Sequence, residues 1–260
     1  REMIRALAAQ GRDADATAAV EGLAKAEPEV DDVRLYRAIV HAAAKRDAEA
    51  RRELEALLKE NPFYHSEIEE EPAFEGLRKE KGLADALGRA REKVEYDAQV
   101  EEKNEDDDWA GVLELSRKRL ERAPDDGDAW EWSGQALRQL KRFAEAEKAL
   151  RTAIEKLPEA ARGYSREELG LALAQLGRTD EALAVAEALQ AGRKGGSLRL
   201  RAFALALAKR DDEAAKALGA LLGEFKGYVW IVERDPAFEG LRKRPDVAEM
   251  IQRAKPVPKK

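Results

Sequence analysis

Residues 127–160 read GDAWEWSGQALRQLKRFAEAEKALRTAIEKLPEA, and the spacing within this stretch decides the fold. Trp130 is followed by Gly134 and Leu137, then by Ala146, Leu150, Ala153 and Pro158. Trp130 and Leu137 fall about two turns apart on one helical face. Gly134 and Ala146 are small enough to let two helices approach closely. Pro158 cannot continue a helix and so ends the second one. The stretch therefore predicts two short antiparallel helices with a tight connection.

The same spacing recurs along the chain. Gly170, Leu173, Gly177, Ala182 and Leu189 occupy matching positions, as do Ala202, Leu205, Lys209-Arg210-Asp211, Ala214 and Leu218. Upstream, Trp109 to Pro124 reads as the second helix of an earlier unit, with a weaker first helix at Val94 to Lys103. Near the start, Ile4, Leu7, Gly11, Ala16, Val20 and Pro28 fit one unit, and Ala38, Asp47, Ala50, Leu54 and Pro62 fit the next. About six units are expected, and three or so suffice to bury a continuous core.

The unit resembles the tetratricopeptide repeat, a pattern of about 34 residues written W-x2-L-G-x2-Y…A-x3-F…P. Ser133 stands where that pattern has Leu, and Leu137 where it has Tyr. The resemblance implies an all-α solenoid of helix-turn-helix repeats whose activity is to bind another protein. It further implies a bacterial scaffold or adaptor, with a regulatory or sensory module of a larger chain as the alternative.

A longer duplication overlies the short one. Aligning Ala44 with Ala208 and continuing without gaps leaves about half of roughly 44 positions identical. The best stretch is Pro72-Ala73-Phe74-Glu75-Gly76-Leu77-Arg78-Lys79 against Pro236-Ala237-Phe238-Glu239-Gly240-Leu241-Arg242-Lys243. It is similar to the end-of-group segment that closes many bacterial repeat arrays. Physically, the last helix pair of a solenoid has an apolar face without a neighbour. Phe74 and Phe238, with Leu77 and Leu241, are expected to cover it, with Pro72 and Pro236 at the first turn of the covering segment. The expected organisation is thus an array with its cap over residues 1–92, a second array with its cap over 93–254, and a disordered tail at 255–260.

Composition agrees with this and removes other classes. Of 260 residues, 38% are charged and only 6% aromatic, with Ala, Leu, Glu and Arg prominent; these lose little rotamer freedom in a helix. A net charge of −6 of mixed sign gives no support for nucleic-acid binding. The absence of cysteine removes disulfides, thiol catalysis and thiolate metal sites. No apolar run is long enough for a membrane span. The chain opens at Arg1 inside a helical pattern, so a longer parent chain is expected, with the cytoplasm favoured over the periplasm.

No catalytic spacing is present, so a non-enzyme without cofactor is expected. His41 sits among Val40, Ala42 and Ala43 as a packed helix residue, and His65 corresponds to Val229 in the second copy. Gly192-Arg193-Lys194-Gly195-Gly196-Ser197 lacks phosphate-loop spacing and reads as a flexible turn. The acidic run Glu101 to Asp108 lacks the ligand alternation of a calcium loop. Arg78-Lys79 and Arg242-Lys243-Arg244 read as solvated helix ends. Trp109 and Trp130 are expected in the core, whereas Trp132 and Trp230 are the candidates for exposed contact.

In the tetratricopeptide family the concave groove is lined by five positions of each first helix. Carried over, these are Asp128, Glu131, Gln135, Arg138 and Gln139, then Tyr164, Glu167, Leu171, Ala174 and Gln175, then Gly196, Arg199, Phe203, Ala206 and Leu207. The partner implied is another protein or peptide, extended or helical. Glu131 and Gln135 stand where chaperone-tail receptors carry cationic and amide side chains, so that subtype is not expected. Self-pairing into a homo-oligomer remains open.

Overall fold

The computed structural model describes residues 1–26 and 32–256; Pro28 and residues 257–260 of the expected tail lie outside the described residues. Among the described residues the regular structure is entirely helical. The longer helices are α1 (Glu2–Ala9), α2 (Asp13–Ala26), α3 (Asp32–Ala43) and α4 (Asp47–Glu60), followed by the short α5 (His65–Glu70) and the long α6 (Lys81–Glu105). Then come α7 (Trp109–Arg122), α8 (Gly127–Gln139), α9 (Phe143–Lys156), α10 (Arg162–Gln175), α11 (Thr179–Leu189), α12 (Lys194–Leu207) and α13 (Asp211–Glu224). The chain closes with α14 (Val229–Arg234), α15 (Glu239–Arg242) and α16 (Pro245–Ala254). It divides into two compact units, Arg1–Gln99 and Val100–Lys260.

Six connections between paired helices share one geometry. A single residue takes the left-handed conformation in each: Gly11, Lys45, Asp107, Lys141, Gly177 and Lys209, with φ between 56° and 77°. The N–H of that residue bonds back three residues, and the next N–H bonds back five, as in Lys141 to the Arg138 carbonyl (2.9 Å) and Arg142 to the Leu137 carbonyl (2.8 Å). Two otherwise orphaned carbonyls are thereby satisfied and the chain reverses sharply. Only two of the six turns use glycine, so the other four carry the left-handed cost on a side-chain-bearing residue.

In the first unit, Ile4, Val20, Ile39, Leu54, Leu57, Ile68, Phe74 and Leu83 form one buried cluster. In the second, α8 packs on α9, α9 on α10, α10 on α11, α11 on α12 and α12 on α13, and the first helices α8, α10 and α12 also touch in succession. That order is the solenoid expected from the repeat spacing. Gly134 has the predicted role: a Cβ there would stand 2.5 Å from Leu150 Cγ and 3.3 Å from the Leu150 nitrogen.

The duplicated segments fold alike. In each, Pro72 or Pro236 occupies the first turn of a 3₁₀ helix whose N-cap carboxylate, Glu71 or Asp235, accepts from the following Ala N–H. Phe74 and Phe238 are buried, as are Leu77 and Leu241. The helix expected after each proline is thus a 3₁₀ turn first, because proline at N1 and the carboxylate cap tighten it. In the second unit this segment packs on α12, and α16 packs on α13.

Three local expectations change. Lys194 to Ser197 form the first turn of α12 rather than a flexible loop, and Ser197 Oγ donates to the Ala186 carbonyl. Arg242 is not a solvated helix end: Nη1 donates to the carbonyls of Val232 (2.9 Å) and Asp235 (2.8 Å), and Arg78 reaches the Ile68 carbonyl in the same way (3.4 Å). These guanidinium groups tie the segment together by satisfying carbonyls at the end of a short helix. Trp109 and Trp130 are half-buried rather than core, and Trp132 is half-buried rather than exposed. The long helix ending in an acidic turn is found, with Asp108 capping α7 through the Gly111 N–H (2.9 Å).

Candidate functional site: the face of α8, α10 and α12

The groove positions fall into two groups. Toward the helix starts lies a polar network. Glu167, fully buried in α10, accepts from Arg193 Nε (2.7 Å) and Arg199 Nη1 (2.9 Å). The Arg193 guanidinium also lies over the Tyr164 ring, 5.3 Å from its centroid, a cation–π stack. Burial pushes the Tyr164 hydroxyl above its ordinary pKa. Glu131 accepts a hydrogen bond from Ser165 Oγ, and its burial raises its pKa despite that bond.

One turn further on, Arg138 Nε meets Glu168 Oε2 at 2.6 Å, with side chains only 10% and 1% exposed. A buried pair of this kind contributes little net stability, but losing one partner strands the other charge. The network therefore fixes the relative placement of α8, α10 and α12 more than it stabilises them. Gln135 and Gln175 each hold a buried amide oxygen with no hydrogen-bond partner.

The second group opens onto a hollow of about 530 Å³. Arg138, Gln139, Gln175, Arg199, Phe203 and Leu207 line it from the helix face, and Lys141 from the turn after α8. Its far wall is Trp230, Ile231, Arg234 and residues 235–237 of the duplicated segment. Of the positions carried over, the structure thus gathers Arg138, Arg199, Phe203 and Leu207 around one cavity. Asp128, Glu131, Tyr164 and Glu167 belong to the other group, and Leu171 is buried. Phe203 is 5% exposed and forms the floor.

Sequence reasoning missed Glu168, Arg193, Ile231 and Arg234, because none occupies a groove position of the repeat. Two signals were available. Glu167-Glu168 interrupts an apolar helix, and Trp230 is a large apolar residue where the other copy has serine. Elsewhere in this unit, Ser133 and Leu137, the two departures from the repeat pattern, help line a second hollow between α7 and α9, with Trp130 beside them. His41 is kept below its ordinary pKa by burial, and its Nδ1 has no partner.

Among the described residues no group of three or more His, Cys, Asp or Glu side chains is placed to hold a metal, and no helix is long and apolar enough to cross a membrane. The molecule is an α-solenoid of stacked helical hairpins, of the class that serves as protein-interaction scaffolds. A tetratricopeptide repeat profile matches residues 1–65, 113–164 and 142–197, more than half of the chain, and the chain belongs to that family. Among solved structures it is similar to MamA AMB-1, at 21% identity over 75% of this chain and 90% of that one, with a TM-score of 0.31. It is also similar to the P58(IPK) TPR domain, at 14% identity over 97% and 95%, with a TM-score of 0.39. No curated protein matches.

Proposed function

We propose that the chain acts as a scaffold that holds an extended or helical segment of a partner protein along the face of α8, α10 and α12. The observation that carries this reading is the cavity on that face, bordered by side chains left accessible while the helices beneath are fixed by buried ion pairs. Gln139 and Leu207 are exposed and Gln175 is half-buried, so a partner meets amides and an apolar edge on a pre-organised surface. No reaction is proposed, since the family is one of non-catalytic scaffolds.

The test is affinity capture with the intact chain beside a variant carrying Asp128→Arg, Gln139→Glu and Leu207→Asp. Gln139 and Leu207 are exposed and Asp128 is half-buried at the start of α8, so the fold is expected to survive, as circular dichroism would verify. Partners retained by the wild type and lost by the folded variant support the groove. Equal retention by both would end this reading.

A further inference from the structure

The two copies of the duplicated segment agree at their buried positions and differ at three positions where the second faces the cavity. Pro236, Phe238, Leu241 and Arg242 repeat Pro72, Phe74, Leu77 and Arg78. Trp230, Ile231 and Arg234, which line the cavity, stand where the first copy has Ser66, Glu67 and Glu70. Polar and acidic side chains have thus become apolar and basic ones at the positions that see the hollow. Trp230 is 57% exposed and Leu207 38%, an unusual exposure for such large apolar groups facing one cavity.

The charge around the hollow is lopsided. Arg138, Lys141, Arg199 and Arg234 line it against a single carboxylate, Asp235. Arg138 is matched by Glu168, but Arg199 shares Glu167 with Arg193, so two guanidinium groups face one carboxylate. Asp235 is engaged by the Ala237 N–H at 2.9 Å. Among the described residues, Lys141 and Arg234 have no ion-pair partner. The cavity therefore carries excess positive charge on a protein whose net charge is −6, and the amide oxygen of Gln175 at its edge lacks a donor.

We infer that this hollow is an anchor pocket for an acidic peptide segment in which Asp or Glu stands within a few residues of a large apolar side chain. The apolar group packs between Trp230 and Leu207, and the carboxylate meets Lys141 and Arg234. The inference rests on the groove reading above and adds to it the chemistry of the partner. Electrostatic complementarity of this kind selects partners and speeds their encounter.

The experiment selects a displayed library of random dodecapeptides on the intact chain and measures the affinity of synthetic winners. The proteins compared are wild type, Trp230→Ala, the pair Lys141→Glu/Arg234→Glu, and Asp128→Arg/Tyr164→Ala outside the pocket. The expected winners pair Asp or Glu with Trp, Phe, Leu or Ile and weaken at least about tenfold on Trp230→Ala and on the charge-reversed protein. On the charge-reversed protein, peptides with Lys in place of the acid should recover binding. Winners without an acid, or indifferent to both pocket variants, overturn the inference. If those winners still depend on Asp128 and Tyr164, the groove reading survives alone; if no peptide is enriched, both fall.

Discussion

The ring of Phe203 stands edge-on to that of Phe238, centroids 6.2 Å apart and planes at 78°. One belongs to the last first-helix of the second unit and the other to the duplicated segment. The floor of the cavity and the duplicated segment thus share one aromatic contact, worth about 0.5–1.5 kcal/mol beyond the area it buries. Phe238→Ala is expected to cost about 3–5 kcal/mol in urea unfolding, since a fully buried ring is lost and α12 cannot collapse onto the space. Phe238→Leu, which keeps most of the volume, should lose clearly less.

The pair Arg138 and Glu168 makes a second prediction. Glu168→Ala leaves a guanidinium with 10% exposure and no carboxylate, at a cost of about 3–5 kcal/mol. The double variant Arg138→Met/Glu168→Leu removes both charges and should be nearly as stable as the wild type. A double-mutant cycle by chemical denaturation reads the difference; additive losses would contradict the pairing.

Glu131 gives a dependence on pH. Its folded pKa lies above the ordinary 4.5 because burial disfavours the carboxylate, more than Ser165 compensates. A raised carboxyl pKa means the folded state binds the proton more tightly than the unfolded chain does. This contribution is full below about 4.5 and is lost as pH rises through the folded value. Glu131→Gln should therefore flatten that part of the stability profile and raise stability at neutral pH. Thermal melts from pH 4 to 8 would reveal it.

The left-handed turns supply a comparison within one molecule. Lys209→Gly relieves a side chain held at φ 59° and should raise stability by up to about 1 kcal/mol. Gly177→Ala, at φ 77°, should lower it by about 1 kcal/mol. Melting temperatures of the two variants should therefore move in opposite directions.

The repeat was legible because its positions are fixed by packing: Gly134 against Leu150, and the buried Ala146 and Ala153, leave little choice of residue. The buried Phe74 and Phe238 were legible because the segment occurs twice. The site was read only in part. Repeat positions identify which face of a helix looks inward, and Arg138, Arg199, Phe203 and Leu207 do meet around one cavity. They cannot say which charges on that face are neutralised from a neighbouring helix. Glu168 and Arg193 come from other positions, and their partners lie about 26–30 residues away in sequence. Nor does a repeat pattern describe the segment after the last repeat, from which Trp230 and Arg234 enter.

The placement of α16 and Phe238 on the last helix pair bears on polymerisation. A solenoid end left open is a sticky, self-similar surface on which the next copy can stack head to tail, and such contacts do not close into rings of fixed size. Here α16 lies on α13 and Phe238 meets Phe203 of α12, so a second copy could stack on that face only after the segment from Val229 to Ala254 is peeled away.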